Sequence, residues 1–599
     1  MGIGKKMLGT AMGMLLPMGC CAGTALAASD GIHIDQVGYL TDQAKEAMVS
    51  LADAQGPFAL VDAATGQKVY EGKLGTAKAD AMSGDTVAKA DFTDFRQPGR
   101  YRLVIDGEES DVFAIDDNVY GIPALQNWRS YTLSRSNTPM QDELTGLRIA
   151  GGHVQDKDAQ VYFADKLNKK GDVVDVSGGW YDAGDYGKYT TTAAIAAGEM
   201  MLAYEASPEK FFQGQLFFPQ GVREEAMPDA LSEVKFELEF MKKMQRKDGS
   251  FFHKVAGAQW PGFDKSPDSD TQQRYIYSTC TASSAMAGAA MAMAGRIYSD
   301  YDKNFAADCL NRARAVWKYL AKEKNSVYRV DEGQENGSGP YDDRDDATER
   351  CWLAAELFRT TGDKQYENYL MKQQKNIILQ RPSFFTWDNT LALAQFSYGM
   401  AANANQAFQF QVRQRLVDYA DEIAASIASD GYECSLKENE YTWASTKNAV
   451  TKGDILLMTH EFSPKQEYID GALDQIHYMF GRNALNKSFM TGIGSNPPEH
   501  PHNRIHESTG AYVPGLIVGG PNAVLGGDPD QTKYIEDYHP APAKCYLDVL
   551  MSWSTNEYAI DYNGAGIYAL SYFMQPDKSI TANDLKLDRN FPCGILNKI

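Results

Sequence analysis

Two aspartates in a glycine-rich, aromatic loop are the first candidates for chemistry in this sequence. Asp182 and Asp185 lie three residues apart within Gly178–Tyr189, just ahead of a predicted helix that begins near Thr191. Two carboxylates this close could share one water molecule, because one can orient the water while the other accepts its proton. The same pattern also suits an N-terminal helix cap or a calcium-binding loop. From this segment alone, catalysis and the two structural interpretations stay equally supported.

A glutamate near the C-terminal end is the second candidate. Glu557 lies within Trp553–Gly564, among apolar and aromatic neighbours. Such surroundings raise the pKa of a carboxyl group, so the group keeps a proton that it can donate to a leaving group. The alternative is a glutamate in the first turn of a helix predicted over Glu557–Met574, where it would complement the helix dipole. Taken alone, this segment favours the helix interpretation.

A proline-stiffened loop supplies a histidine and an arginine. The segment Ser488–Gly494 leads into Pro497–Arg504, which contains His502 and Arg504. These side chains could hydrogen-bond to sugar hydroxyls without a metal. The alternative is a loop with no role in binding. Zinc is not expected here, because neither an HExxH pattern nor a cysteine partner accompanies the histidines.

The overall composition limits the kind of ligand. The 599 residues include 58 Lys and Arg against 79 Asp and Glu, a formal net charge of −21 that would repel phosphate backbones and anionic membrane surfaces. We therefore expect no nucleic-acid partner. With 11% aromatic residues, the chain suits a neutral hydroxylated ligand that stacks on rings. The length predicts at least two domains.

The N-terminal segment has the features of a signal peptide. Two lysines precede the apolar run Met7–Met18, and small residues at the spacing that signal peptidase recognises end at Ala27. We predict a signal peptide over residues 1–27 and a mature protein that is secreted or periplasmic, with no membrane span. A lipoprotein anchored at Cys20 or Cys21 is the less favoured alternative.

The spacing of apolar residues changes once along the chain. From residue 30 to 116, short apolar runs such as Phe58–Val61 and Tyr101–Ile105 alternate with turn signals, which predicts a small immunoglobulin-like β-sandwich. From residue 119 to 580, about a dozen helical stretches with long loops between them predict an all-α domain in which helical hairpins form a toroid. Residues 581–599 remain as a short C-terminal tail.

Together, these motifs resemble glycoside hydrolase family 9, the inverting cellulase family, in the subgroup that carries an N-terminal immunoglobulin-like domain. The resemblance covers almost the whole predicted mature chain. Its segments occur in the order that the family has, and they are Ile34–Tyr39, Pro98–Tyr101, the loop with Asp182 and Asp185, Trp352–Leu357, Tyr478–Arg504, Gly519–Asn522 and the Asn-Glu motif at Glu557.

The resemblance implies an (α/α)6 barrel whose open cleft cleaves β-1,4-linked glucans with inversion, as an endoglucanase does. By that resemblance, Asp185 is the general base, Asp182 helps it to hold water and Glu557 is the general acid. Inversion requires the acid and the base on opposite faces of the sugar, with carboxyl groups about 6.5–9.5 Å apart. The expected substrate contacts are His502, Arg504 and the aromatic platforms Trp180, Tyr181 and Trp260.

The resemblance requires no cofactor, and the metal sites of the family are altered in this sequence. Relatives in this subgroup often bind zinc through cysteines and histidines ahead of the aspartate loop. We expect no zinc, because the predicted mature chain has no cysteine before Cys280. The family's calcium site includes an Asp-Glu pair whose first member is a threonine here. Glu349 and Asp388 are therefore the residues expected to hold a structural calcium, and Asp345 and Asp346 could add oxygens.

Two other functions remain open at this point. An exo-acting glycosidase on cello-oligosaccharides, xyloglucan or glucosaminides would need loops that block the cleft, and the insertions near residues 151–175 and 334–344 are candidates. In a different class, a non-catalytic glycan-binding surface protein could keep the fold, although pure binding gives no reason for a matched acid and base. We expect a monomer whose partner is a β-1,4-glucan polysaccharide or oligosaccharide.

Overall fold

The structure is a computed structural model that describes residues 28–52, 56–223, 225–328 and 337–587. The predicted signal peptide, residues 1–27, lies outside these ranges, and so does most of the predicted C-terminal tail. No helix within the described ranges is long and apolar enough to cross a bilayer.

Two sheets that share one core form the N-terminal part of the chain. The first sheet has the strand order β1 (Ile32–His33), β3 (Glu46–Val49), β7 (Thr86–Asp91) and β6 (Lys78–Ala79). The second has the order β2 (Gly38–Tyr39), β10 (Phe113–Ile115), β8 (Gly99–Ile105), β4 (Pro57–Asp62) and β5 (Lys68–Lys73), with β9 (Glu108–Glu109) paired to β8. Neighbouring strands are antiparallel except β2 and β10, which are parallel.

Alternating side chains explain why these strands pair as a sandwich. Along β8, Tyr101, Leu103 and Ile105 are buried while the residues between them are half-buried. These three side chains pack in one core with Val49 of the opposite sheet. The turn from β8 to β9 places Asp106 at φ 51° and the following glycine at φ 89°, the left-handed conformation that a tight two-residue hairpin requires. The predicted immunoglobulin-like sandwich is confirmed.

Twelve of the helices that the structure describes after residue 119 form two concentric rings. The inner ring consists of α2 (Thr190–Ala206), α4 (Thr281–Ile297), α6 (Ala347–Thr361), α9 (Leu391–Gly399), α11 (Ser445–His460) and α16 (Ile560–Phe573), and α16 packs against α2 to close it. The outer ring consists of α1 (Gly121–Leu133), α3 (Asp229–Met244), α5 (Lys303–Leu320), α7 (Lys364–Lys372), α10 (Gln406–Ser429) and α12 (Gln466–Met479).

The composition of the helices explains their place in the rings. The inner helices are buried on nearly every side, and all of α9 is buried. Small residues let them approach closely, since a Cβ added at Gly198 would lie only 3.0 Å from the Trp352 ring. The outer helices are amphipathic, as in α5, which buries Phe305, Cys309 and Ala313 on one face. This arrangement confirms the predicted (α/α)6 barrel.

Short strands and helices in the loops between the barrel helices were not predicted. They comprise a hairpin of β11 (Pro139–Gln141) and β12 (Arg148–Ala150), a sheet of β14 (Val173–Val174), β13 (Ala159–Val161), β17 (Arg274–Thr279), β16 (Phe252–Gly257) and β15 (Lys188–Tyr189), and the helices α13 (Arg504–Thr509), α14 (Pro529–Tyr538) and α15 (Trp553–Asn556). The short helix α8 (Lys375–Ile378) lies within the single helix that the sequence predicts over Lys364–Leu379, which the structure divides into α7 and α8. No segment here exceeds ten residues, too few to establish a hydrophobic period. Several of these segments position the site described next.

A buried polar cluster joins the sandwich to the barrel. Asp35 is fully buried, and its carboxylate accepts the backbone N–H groups of Val37 (2.8 Å) and Gly38 (3.0 Å) and the hydroxyl of Tyr120 (3.0 Å). His477 Nδ1 of α12 lies 2.9 Å from the same carboxylate. Burial raises the pKa of Asp35 to about 8. The predicted sandwich is therefore fixed to the helical domain rather than free to move beside it.

Candidate active site

One cavity brings together the acidic and basic residues singled out in the sequence. It has a volume of about 910 Å³ and opens at one end of the barrel. Its lining includes Asp182, Asp185, His502, Arg504 and Glu557. These residues lie on three segments that are far apart in sequence, so the fold alone makes them neighbours.

Backbone hydrogen bonds join the three segments directly. The loop that carries the two aspartates pairs with the glutamate segment at Ala183 and Ala559, and Glu557 pairs with His502 in a parallel bridge. The Arg504 N–H donates to the Gly184 carbonyl (3.1 Å). A Cβ added at Gly184 would lie 2.1 Å from the His502 carbonyl oxygen and 2.8 Å from Glu557 Oε1. Glycine at this position therefore allows the segments to meet.

Asp182 is buried and held by two hydroxyl groups. Thr192, in the first turn of α2, donates to Oδ1, and Tyr341 donates to Oδ2 at 2.7 Å. Burial, and after it the charge of Asp561, raises the pKa of Asp182 well above its usual value. Tyr189 rather than either aspartate stands at the N-terminus of α2. The helix-cap alternative for these aspartates is therefore wrong.

Asp185 has one oxygen to which no residue in the described part of the chain donates a hydrogen bond. Its Oδ1 accepts the Gly187 N–H at 2.5 Å, and no other hydrogen bond to this carboxylate comes from the described residues. Burial raises the pKa of Asp185, while the Gly187 N–H and the positive charge of Arg504 oppose that rise. An ionised Asp185 with Oδ2 available is suited to accept a proton from a water molecule in the cavity.

Glu557 lies between two helices rather than within one. Its backbone is extended (φ −88°, ψ 144°) after α15 and before α16, so it is not the first-turn helix glutamate that the sequence alone favoured. Oε1 accepts the Gly184 N–H at 3.0 Å. Burial and, after it, the charge of Asp185 raise the pKa of Glu557 well above its usual value. The raised pKa favours the protonated form of the carboxyl group, which is the form that a general acid needs.

His502 stands beside Glu557 in its neutral form. Its Nδ1 lies 2.6 Å from the Leu550 carbonyl oxygen, and since a carbonyl only accepts, we assign the proton to Nδ1. Burial lowers the pKa of His502 to about 4, and Nε2 lies 3.9 Å from Glu557 Oε1. Nε2 therefore remains an acceptor that faces the acid.

Backbone carbonyls hold Arg504 in place. Its Nε donates to Pro261 (2.7 Å) and Nη1 to Gly184 (2.9 Å), while the guanidinium lies over the ring of Phe263 at 4.6 Å. The guanidinium thus lines the cavity as a fixed positive group beside the two aspartates.

Two of the three predicted aromatic platforms do not reach the cavity. Trp180 is 1% exposed and donates its Nε1 to Glu233 (2.8 Å), and Tyr181 is fully buried with its hydroxyl 2.6 Å from His153 Nδ1. The expectation that they contact substrate is wrong, because the loop turns both rings into the core. Trp260 does line the cavity and is 54% exposed.

Several cavity aromatics were not identified from the sequence. Tyr341, Trp387, Trp443 and Trp553 line the cavity, each from a loop or a short helix that carries no periodic signal. Tyr341 adopts a left-handed backbone conformation (φ 47°), which turns its hydroxyl toward Asp182. In the sequence, Trp387 stands next to the polar Asp388, but a tryptophan beside a polar residue can lie either in a cleft or in a core.

The residues expected to hold calcium lie in an oxygen-rich acidic region. Glu349 is buried and accepts the hydroxyls of Thr348 (2.5 Å) and Thr390 (3.2 Å), while Asp388 is exposed at the cavity. Asp343, which the sequence did not single out, has a buried Oδ2 that has no hydrogen-bond partner among the described residues. Burial, and then the neighbouring carboxylates including Asp388, raises the pKa of Asp343. Oxygen donors of this kind suit calcium.

A tighter acidic group elsewhere is an ion-pair cluster. In the described part of the chain, Glu46, Glu433 and Asp474 have ligand atoms within 4.8 Å of one another. Nη1 of Arg482 lies 3.1 Å from Oε2 of Glu433, and its Nη2 lies 2.5 Å from Oδ1 of Asp474. Nζ of Lys89 lies 2.8 Å from Oε2 of Glu46. These cations already balance the carboxylates at the boundary between the sandwich and the barrel.

Comparison with known proteins identifies the family. The sequence model described as glycosyl hydrolase family 9 matches residues 120–570, and the model of the cellulase N-terminal ig-like domain matches residues 27–110. The chain is 30% identical to endoglucanase D of Acetivibrio thermocellus over 93% of this chain and 86% of that protein. It is 29% identical to a xyloglucan-specific endo-beta-1,4-glucanase of Bacteroides ovatus over 92% of this chain and 94% of that protein.

A solved structure agrees with the sequence comparison. The crystal structure of GH family 9 endoglucanase J30 superposes with a TM-score of 0.88 at 41% identity, over 90% of this chain and all of that one. Fold, cavity and sequence match therefore lead to one conclusion: this chain belongs to glycosyl hydrolase family 9 and is a glycoside hydrolase.

Proposed function

We propose that this protein is an endo-acting, inverting hydrolase of β-1,4-linked glucans. The observation that carries the proposal is the shared cavity of Asp185 and Glu557, two carboxyl groups in different electrostatic surroundings. One oxygen of Asp185 accepts no hydrogen bond from the described residues, and nearby cations, among them Arg504 and Lys254, lower the pKa of that carboxyl group. Glu557 lies beside the neutral His502, and the negative charge of Asp185 raises its pKa further. Such a difference is what separates a general base from a general acid.

In the proposed mechanism, Asp185 removes a proton from water as that water attacks the anomeric carbon. Asp182 helps to orient the water, and the hydroxyls of Thr192 and Tyr341 fix Asp182 in turn. The bond to the leaving sugar breaks on the opposite face, so the configuration inverts without a covalent intermediate. Arg504 supports the role of Asp185, because its positive charge favours the ionised carboxylate.

Glu557 donates its proton to the glycosidic oxygen in the same step. Its raised pKa supports this role, because the proton is still present when substrate binds. The Gly184 N–H donates to Oε1, which leaves Oε2 to carry the acid proton. After product leaves, Glu557 regains a proton from solvent and Asp185 loses one, and the enzyme is ready for another cycle.

Aromatic rings along the cavity support a neutral sugar polymer as substrate. Trp260, Trp387 and Trp443 each present a ring to the cavity. Indole faces stack on the apolar faces of sugar rings, and the polar groups between them can bind hydroxyls. His502 and Arg504 are proposed to contact the sugar nearest to the cleavage point.

Endo action is tested by viscometry on carboxymethylcellulose. An endoglucanase cuts inside the chain, so viscosity should fall to half while few reducing ends have appeared. An exo-acting enzyme releases reducing ends in proportion to the loss of polymer and leaves the viscosity high. Proportional release would contradict the endo assignment without affecting the assignment to a glycoside hydrolase.

We also propose a structural calcium held by Asp343, Glu349 and Asp388. The partnerless buried oxygen of Asp343 supports it, because a buried carboxylate needs a proton, a donor or a cation. Calcium added after chelation should raise the Tm, since a ligand of the folded state stabilises it in proportion to the logarithm of its concentration. The Asp343→Asn variant should lose that shift. Identical Tm values with and without calcium would contradict the site.

Export to the periplasm or the cell exterior is proposed from the N-terminal sequence. The lysines and apolar run ahead of Ala27 support it. N-terminal sequencing of the mature protein should find Ala28 as the first residue. A first residue at Cys20 or Cys21 would instead indicate a lipoprotein.

A further inference from the structure

A second groove meets the catalytic cavity at one tryptophan. The groove has a volume of about 530 Å³ and is lined by the turn Gly526–Asp528 and by the part of α14 that contains Thr532, Lys533 and Glu536. Trp553 lines both this groove and the catalytic cavity, whereas Glu557 lines only the cavity. A chain that extends past Glu557 and over Trp553 would therefore enter the groove.

Hydrogen bonds connect the groove to the segment that leads to Glu557. Trp553 donates its Nε1 to the Gly527 carbonyl (3.1 Å). Asp528 Oδ2 accepts the N–H (2.9 Å) and hydroxyl (2.6 Å) of Ser554, while Oδ1 accepts the Gln531 N–H at the start of α14. The groove, Trp553 and the segment that ends at Glu557 thus form one unit, and a ligand in the groove would be fixed relative to the acid.

The groove has the chemistry of a neutral sugar site. Lys533 forms an exposed ion pair with Asp537 (2.6 Å), and Glu536 lies beside them, so both donors and acceptors for hydroxyl groups are present. The apolar surface of the groove comes from Pro529 and from the ring of Trp553. Met551, two residues before Trp553, is 46% exposed and lines the catalytic cavity. The carboxylates outnumber the single lysine in the lining, which disfavours an anionic polysaccharide.

We infer that this groove is a distal subsite for a sugar residue of the same glucan whose scissile bond lies at Glu557. The inference rests on the proposed function. Trp553 supplies the stacking face at the entrance, and Lys533 and Glu536 bind hydroxyl groups of the residue beyond it. The protein should accordingly prefer glucan chains long enough to occupy both spaces.

Chain-length dependence of a groove variant tests the inference. The double variant Lys533→Ala/Glu536→Ala removes the polar contacts at an exposed position, away from the catalytic residues. The matched control is Lys68→Ala/Glu71→Ala, which removes an exposed pair on the β-sandwich (58% and 55% exposed). The kcat/KM values of both variants and of the unmodified protein are measured on cellotriose, cellotetraose, cellopentaose and cellohexaose.

We expect the groove variant to lose about tenfold in kcat/KM on cellohexaose, equivalent to about 1.4 kcal/mol, with cellotriose unchanged and the control unchanged on every substrate. Equal losses at all lengths, or no loss at any length, would overturn the distal subsite while the cleavage itself upheld the proposed function. If the unmodified protein cleaved none of the four oligosaccharides, both the distal subsite and the proposed function would be overturned.

Discussion

At the scale of single residues, the environment of each carboxyl group decides its role. Burial raises the pKa of both Glu557 and Asp185, and the charge of Arg504 opposes the rise in both. Asp185 has Lys254 and Arg274 as further cations that lower its pKa, whereas the negative charge of Asp185 raises the pKa of Glu557 still more. Asp182 differs from both, because hydroxyl donors occupy its two oxygens. In the proposed mechanism, the two aspartates of one loop therefore have different roles, and the sequence shows the residue types but not the difference in their surroundings.

Replacement of Glu557 tests the acid. Glu557→Gln keeps the shape of the side chain and can still accept the Gly184 N–H, but it has no proton to give. On cellohexaose we expect a loss in kcat of about 10²–10⁴-fold. Aryl glycosides with good leaving groups should lose far less, because their departure needs little protonation. Equal losses on both substrates would remove Glu557 from the acid role.

Replacement of Asp185 tests the base. Asp185→Asn should abolish hydrolysis to a similar extent, about 10²–10⁴-fold, since the amide cannot accept a proton from water. Azide, a nucleophile that needs no base, should restore part of the activity with an inverted glycosyl azide as product. If the variant stayed fully active, the base would have to lie elsewhere, and Asp182 would be the next candidate.

The two pKa shifts also predict the shape of the pH profile. Activity requires Asp185 ionised, so it should fall as pH drops below the raised pKa of that group. It requires Glu557 protonated, so it should fall again as pH rises through the higher pKa of that group. The kcat/KM profile should therefore be bell-shaped, and Glu557→Gln should lose the alkaline limb when assayed on activated substrates. An alkaline limb that persisted in this variant would assign it to another group.

At the scale of elements, the central feature is the contact among three loops at Gly184. Gly184→Ala would place a Cβ 2.1 Å from the His502 carbonyl and 2.8 Å from the acid. We expect at least a tenfold loss of kcat with circular dichroism unchanged, because the strain falls on the site. Gly453→Ala in α11 is the matched control, since its Cβ would meet nothing closer than 3.5 Å and alanine favours a helix. Equal activity in both variants would contradict the close contact.

The sequence predicts the long elements well and the short ones poorly. The sequence predicts a helix over Asn405–Ser429, and α10 begins one residue later and ends at the same residue, because an amphipathic period over 24 residues is a strong signal. The predicted helix at Glu557 begins too early, since a tight contact with the aspartate loop holds that residue extended. Trp180 and Tyr181 were misplaced for a related reason. Inward and outward positions in an irregular loop follow from tertiary contacts that no local pattern reveals.

At the scale of the whole molecule, the buried Asp35 of the sandwich contacts the barrel through Tyr120 and His477. The pKa of Asp35 is about 8 in the folded protein against a usual value of 3.8. The folded state therefore binds a proton that the unfolded state releases, and this group makes the free energy of unfolding fall as pH rises from about 4 to 8. Protonated Asp35 can donate a hydrogen bond to Nδ1 of His477, which accepts it as a neutral ring because burial lowers the pKa of His477.

Two substitutions distinguish the effect of the Asp35 proton on stability from the effect of side-chain packing. Asp35→Asn retains both a donor toward His477 and an acceptor for the N–H groups of Val37 and Gly38, so its Tm should change little and should depend less on pH. Asp35→Ala leaves buried groups without partners and should cost about 2–3 kcal/mol. Asp42→Ala, at an exposed pair with Arg96, serves as the control. Equal destabilisation by Asn and Ala would contradict a protonated Asp35.

The most direct test of the central claim is a proton NMR time course of cellohexaose with the purified protein, recorded before mutarotation mixes the anomers. Base and acid carboxyl groups on opposite sides of the scissile bond predict that the α-anomer appears first, since a single displacement inverts the β-linkage. Early appearance of the β-anomer would mean that two displacements occur, and it would contradict the roles of Asp185 and Glu557 together.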